Sequence, residues 1–217
     1  MYLPKHFEEV RIDALHQLVR EYPLGTLVTL VDNRLEANHI PFLLQADPLP
    51  HGALHGHIAR ANPLWRQLAA DAQALVIFQG PQTFISPSWY SSKRETGKVV
   101  PTWNYVVVHA HGHIRVMDDP GWVRAHVEEL TNRHECRRPA PWKVTDAPAD
   151  YIQAMVRAVV GVEIAIDQLQ GKWKASQNRP AKDRAGVVDG LRREGGDAAS
   201  AMAGLIEQSE AAAGRNP

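Results

Sequence analysis

Residues 99–112 read VVPTWNYVVVHAHG, and the run Val106-Val107-Val108 within them constrains the fold more than any other stretch. Side chains branched at Cβ pack well on a pleated surface and resist the helix, so Val99 to Val116 is expected to be a long strand or a strand pair. At its mouth stand Thr102, Trp103, Asn104 and Tyr105. A hydroxyl, an indole, an amide and a phenol side by side offer flat stacking surface together with donors and acceptors. That chemistry suits a planar ligand with a polar edge. The same residues would equally plug the end of a barrel, with Asn104 in a turn.

Other short apolar runs repeat the β signal. Thr26 to Val31 reads as a strand followed by an Asp32-Asn33 turn, and Leu35 to Leu44 as a second strand. Pro41 within that second strand implies an edge or a bulge. Ala53 to Ile58, Ala74 to Phe78, Thr83 to Ile85 and Val162 to Ile166 follow. Gln79-Gly80-Pro81 reads as a break and Ser88 to Lys98 as a surface loop. Strands at this spacing argue for a small barrel or sandwich. Helical patterns flank them at Val10–Val19, at Trp122 to about Arg133 after Asp119-Pro120-Gly121, and at Ala149–Val160. Leu169 to Asn178 is expected to lead into a helical tail that frays beyond Gly195. The fold class is therefore mainly β with peripheral helices, α+β. We expect one domain over residues 1–191 and a helical or frayed tail over 192–217, a length that single cores commonly reach.

Charge excludes more than it suggests. The 24 Lys and Arg balance 24 Asp and Glu, so no overall field draws the chain to nucleic acid or to an anionic membrane. DNA binding would need a local basic patch, for which Arg133, Arg137, Arg138 and Lys143 are the candidates. The single cysteine, Cys136, cannot form an intrachain disulfide. No basic-then-apolar leader and no apolar run near the ~20 residues that span a bilayer is present. A cytoplasmic protein without membrane contact is expected.

Three further groups could carry chemistry. His109, His111 and His113 alternate, which on a strand puts them on one face; solvated histidines suit the pattern better than a metal site. Leu54 to Pro63 runs from a strand into a small-residue turn holding Arg60 and Asn62, a geometry that can bind phosphate; Arg60 could equally cap a helix or pair with Asp71. Lys172 to Pro180 gathers two ammoniums, an indole, a hydroxyl and two amides, fit for an anionic aromatic ligand or for a solvated loop. No P-loop, Gly-x-Ser-x-Gly, paired-Cys or Rossmann motif occurs, so nucleophilic hydrolysis has no support, and neither a catalytic residue nor a metal ligand is assigned.

The motifs MYLPKHF (residues 1–7), HIPFLL (39–44), GHIARANP (56–63), FQGP (78–81), PTWNY (101–105) and KASQNR (174–179), taken in order, resemble the PaiB-type FMN-binding transcriptional regulators. The resemblance runs from Met1 to about Leu191. It implies an FMN-binding split β-barrel, shared with pyridoxamine-phosphate oxidases and flavin reductases. It also implies a homodimer with flavin at the subunit interface, and a role as a negative regulator. On that resemblance the phosphate would lie against His57, Ala59, Arg60 and Asn62. Gln79 and Gly80 would sit near the polar edge of the ring, Thr102, Trp103, Asn104 and Tyr105 would contact the flavin, and Lys174, Ser176 and Gln177 would close the site. The chain departs from a regulator in having no convincing helix-turn-helix. A flavin-dependent oxidoreductase or reductase, with His109 or Tyr105 as proton donor, is the alternative. A haem-binding barrel with a histidine ligand is a third reading.

Overall fold

The computed structural model describes residues 1–47, 50–69 and 71–213. In chain order the elements are β1 (Glu8–Glu9), α1 (Ile12–Glu21), β2 (Leu24–Val31), β3 (Arg34–Pro41), β4 (Leu43–Gln45), β5 (Ala53–Ala59), α2 (Leu64–Gln67) and β6 (Ala72–Ile85). Then come α3 (Ser92–Thr96), β7 (Thr102–Met117), α4 (Pro120–Glu135), α5 (Ala149–Arg157), β8 (Val159–Lys174), α6 (Ala181–Glu194) and α7 (Asp197–Ala213). The strands form one sheet in the order β3-β2-β6-β7-β8-β5-β4, with β1 paired to β8. The α+β class expected from the sequence is the class found.

The chain divides into two compact units. One comprises Met1–Leu15, Gln79–Val108 and the segment from Gln170 onward; the other comprises His16–Phe78 and His109–Leu169. We call them the first and second unit.

In the second unit β2 and β3 form a hairpin, with Leu30 opposite Leu35 and Val31 opposite Arg34. Asp32 and Asn33 both have positive φ, 47° and 59°, the two-residue turn whose twist matches that of the strands. Pro41 ends β3, which closes one side of the sheet, and Phe42 leaves the strand to donate its N–H to Pro23 O. The expected Leu35–Leu44 strand is thus two strands, because proline lacks the donor that would carry the ladder on. β5 pairs with β8 from Ala53↔Ala165 to Ala59↔Val159. The buried residues Leu27, Phe42, Leu54, Val76, Phe78, Ile114, Val162 and Ile164 fill this core. Beside α4 and α5 a smaller cluster of Val123, Val144, Ile152 and Val156 is closed by Trp122.

The first unit takes β6 from Gln79 on, β7 as far as Val108 and β8 from Gln170 on. Its core holds Phe7, Ile85, Tyr90, Val106, Val108, Val187 and Leu191. Trp89 packs on α6 where Gly186 and Gly190 lie, and a Cβ at Gly190 would overlap the indole.

Several boundaries differ from the sequence expectation. β6 is a continuous strand of 14 residues through Gln79-Gly80-Pro81; proline fixes φ at a value that extended chain tolerates and removes only a donor. The expected loop at 88–98 contains a helical turn at Pro87–Trp89 and the short helix α3. The helix expected through Val160 stops at Arg157, and β8 then runs to Lys174. The tail past Gly195 is helical through residue 213, with Ala199, Met202, Ala203 and Ile206 buried. Residues 214–217 lie outside the described residues. Among the described residues no helix is long and apolar enough to cross a membrane.

Candidate functional site

The thirteen residues singled out from the sequence fall into two groups, one in each unit. In the first unit the start of β7 and the end of β8 come together. Lys174 donates from its ammonium to Thr102 Oγ1 at 2.5 Å and to the Trp103 carbonyl at 2.6 Å. An ammonium has three donors, so one remains for a ligand. Burial lowers the Lys174 pKa, helped by the charges of Lys172 and Arg179.

Beside Lys174, Asn104 donates from Nδ2 to Ser176 Oγ at 2.9 Å. Both residues are buried, with relative exposures of 1% and 3%. Asn104 Oδ1 is buried with no hydrogen-bond partner among the described residues. An orphaned acceptor of this kind costs about 1–3 kcal/mol, which a ligand N–H would recover. Ser176 holds a left-handed backbone, φ +64°, in the turn that follows β8. Gln177 staples that turn, accepting from Ala175 N–H at 2.8 Å and donating to Trp173 O at 2.6 Å.

Trp103 stands 48% exposed. Its indole N–H donates to Gln82 Oε1 at 3.1 Å, and Phe84 meets it edge-to-face at 6.2 Å. The Tyr105 ring faces the Lys172 ammonium at 5.5 Å. On β6, Gln79 is exposed and Gly80 is buried. Exposed aromatic surface, a spare ammonium donor and a buried unpaired acceptor match the demands of an isoalloxazine ring, which is flat and apolar with an edge of carbonyls and N–H groups. The residues present fit a flavin.

The run Lys172 to Pro180 includes Lys172, but the assignment by resemblance leaves it out of the site. Its ammonium is nearly buried, donates to Tyr2 O at 2.9 Å and lies over Tyr105. The signal was present: Lys172-x-Lys174 at the end of a strand puts both side chains on one face. Phe84 and Gln82 could not be found that way, because they join Trp103 only through strand pairing.

In the second unit the turn after β5 is occupied by the protein itself. Arg60 donates from Nη2 to Asp118 Oδ1 at 2.5 Å, from Nη1 to Oδ2 at 3.1 Å, and to the carbonyls of Arg157 and Val159. Its partner is Asp118, not Asp71. The Asp118 carboxyl is held below its ordinary pKa by that guanidinium. Asn62 accepts from Leu64 N–H at the start of α2 and donates to Asn38 Oδ1, while Ala59 O accepts from Asn62 N–H. His57 Nδ1 lies 3.1 Å from His126 Nε2, and the Trp122 ring stacks on His126. Burial lowers the pKa of His57 and pushes His126 down to about 4.

The alternating histidines of β7 separate in role. His109 and His111 have ring centres 6.3 Å apart. Burial, with the neighbouring His111, holds His109 at about 4. His113 turns to the carboxylates of Asp71 and Asp167, at 3.3 and 3.4 Å.

Comparison with known proteins bears on this arrangement. The family model described as "Putative FMN-binding domain" matches residues 1–168, ending short of Lys174, Ser176 and Gln177. A Bacillus subtilis protein called Protease synthase and sporulation protein PAI 2 is 33% identical over 210 residues, covering 95% of this chain and 97% of its own. An uncharacterised protein of Emericella nidulans is 36% identical over 243 residues, covering 96% and 97%. Among solved structures, the FAD and heme binding protein from Mycobacterium smegmatis superposes with a TM-score of 0.59 at 20% identity, covering 82% of this chain and 78% of that one. The flavocytochrome Anf3 from Azotobacter vinelandii superposes at 0.55 with 11% identity, covering 79% and 72%. At such identities structural likeness speaks for the fold alone, and that fold is the split barrel anticipated from the motifs. Sequence match and fold agree: the chain belongs to the FMN-binding domain family, and its cofactor is FMN.

Proposed function

We propose that this chain is an FMN-binding regulatory protein, with the flavin ring held by the first unit. The observation that carries the flavin site is the buried, unpartnered Asn104 Oδ1 beside the Lys174 ammonium. In this reading Asn104 accepts from an N–H of the ring edge, Lys174 places positive charge against its carbonyls, and Trp103 covers a face. Thr102 and Ser176 hold Lys174 and Asn104 in place, Gln177 fixes the closing turn, Tyr105 and Gln79 flank the ring, and Gly80 leaves room. When bound, the flavin supplies reversible electron and hydride chemistry.

The regulatory role is supported by near-full-length similarity to a relative whose name refers to protease synthesis and sporulation. Its output needs a partner surface. Arg133, Arg137, Arg138 and Lys143, doubled in a homodimer, are our candidate for contact with DNA, although Arg138 is already paired with Glu135 at 2.9 Å. Repression would follow if oxidised and reduced flavin bind two conformations of the chain with different energies.

One observation favours an oxidoreductase instead. The lowered pKa of Lys174 puts a protonated donor nearer to neutral pH within the same site. His109 lies in the second unit, where burial holds its pKa at about 4.

The test is a titration of apoprotein with FMN, followed by flavin fluorescence, then addition of NADH or NADPH to the loaded protein. Quenching at one FMN per chain, no turnover and salt-resistant retention of the chain's own promoter DNA are expected of the regulator. Steady nucleotide oxidation with no DNA retention would overturn it in favour of the enzyme. A colourless protein indifferent to FMN would remove both.

A further inference from the structure

We propose a second binding site, in the second unit, for a small amphipathic carboxylate. A cavity of about 350 Å³ opens between the last turn of α1, the β3–β4 junction and the last turns of α4. That is near the lower end of the range for ligand pockets, so it suits a molecule smaller than a nucleotide. None of its lining residues belongs to the flavin group described above, and the inference does not rest on the flavin reading.

The chemistry of the wall is two-sided. Pro23, Phe42, Leu43 and Leu44 supply an apolar floor. Phe42 is 1% exposed and meets Phe78 edge-to-face at 6.0 Å, so the floor is preformed and need not be ordered by a ligand. Arg20 and Arg133 line the cavity from opposite elements, and neither guanidinium makes a hydrogen bond or ion pair among the described residues. Other arginines of this chain are held by carboxylates: Arg11 by Glu9, Arg60 by Asp118, Arg115 by Glu163, Arg124 by Glu128, Arg192 by Glu207. Arg20 and Arg133 differ from these in sharing one apolar cavity.

One carboxylate, Glu129, shares the wall with the two guanidiniums. Both carboxylate oxygens of Glu129 accept from Gln45 Nε2, at 2.8 and 2.9 Å. At the negative end of α4, the Asn132 carbonyl accepts from Cys136 N–H and the Arg133 carbonyl from Cys136 Sγ. What faces an incoming ligand is an apolar surface rimmed by two guanidiniums against one carboxylate held by Gln45. A guanidinium presents paired N–H groups that match a carboxylate, and the floor takes an aliphatic or aromatic body.

The experiment uses the FMN-loaded protein and anilinonaphthalene sulfonate, a fluorescent probe with an apolar body and one anionic head. Octanoate and octanol then compete for it. Saturable probe binding is expected, displaced by octanoate with at least about tenfold higher affinity than by octanol, which corresponds to one charge-assisted contact of about 1.4 kcal/mol. The double variant R20Q/R133Q is expected to lose that preference while octanol still competes. Leu44→Trp, checked for folding by circular dichroism, is expected to block the probe. Equal displacement by the two competitors, an anion preference surviving in R20Q/R133Q, or unchanged binding in Leu44→Trp would each overturn the proposal. Release of flavin by octanoate would also overturn it, because the cavity would then be part of the flavin site.

Discussion

At the scale of single residues, one atom without a partner says more than many that are paired. Asn104 Oδ1 is buried and unpaired while Nδ2 of the same amide is bonded to Ser176. Lys174 next to it has two of its three donors occupied. Replacing Lys174 by Met keeps length and removes the charge. It is expected to weaken FMN binding about tenfold to a hundredfold, the worth of a hydrogen bond to a charged group at 1.5–3 kcal/mol, as read by fluorescence quenching. Arg60 stands at the opposite pole, with four of its five N–H donors engaged by Asp118 and two carbonyls. Arg60→Ala is expected to lower Tm and leave FMN affinity alone; lost affinity at an unchanged Tm would return the phosphate to that turn. The His57–His126 pair predicts a pH dependence. The folded pKa of His126, about 4, lies below its ordinary 6.5, so the unfolded chain takes up a proton that the folded chain refuses. Stability is therefore intact above about pH 6.5, falls as pH drops toward 4 and then levels off, for a loss of about 3 kcal/mol. Urea melts at pH 7.5 and pH 4.5 should show it, and His126→Gln should shrink the difference.

At the scale of elements, the strongest local signals form what their chemistry favours. Asp119-Pro120-Gly121 does start a helix: Asp119 caps α4 by accepting from Trp122 N–H at 2.7 Å, with Pro120 in the first turn. Asp32-Asn33 does turn a hairpin. Errors came where a residue's local preference was overruled by strand neighbours. Gly80 and Pro81 look like punctuation, yet the ladder carries β6 through them. Lys172-Trp173-Lys174 looks like a polar tail segment, yet β8 extends that far and pairs with Glu8 and Glu9. α6 shows the reverse case, a glycine that local propensity disfavours within a helix and packing demands. Gly190 makes space for the Trp89 indole. Gly190→Ala should raise helix propensity but still destabilise by about 1–3 kcal/mol through overpacking, measurable as a lower urea midpoint at constant m-value.

At the scale of the molecule, ligand binding and stability are linked. A ligand that binds only the folded chain stabilises it by about 2.7 kcal/mol at a hundred times its Kd, so FMN at that excess should raise Tm and riboflavin should do so less if the phosphate contributes. Scanning calorimetry with each would decide. The sequence by itself determined the α+β class, because alternating β-branched runs and capped amphipathic segments act over a few residues and need no distant partner. It also determined the family, through motifs whose order is more specific than any one of them. Which groups meet was decided only by the tertiary structure. The contacts Thr102 to Lys174, Asn104 to Ser176 and Arg60 to Asp118 join residues 72, 72 and 58 positions apart. No local propensity encodes such pairings. They follow from strand register and helix packing, which leave Lys174 with one of its three donors to spare and commit four of Arg60's five to the protein itself.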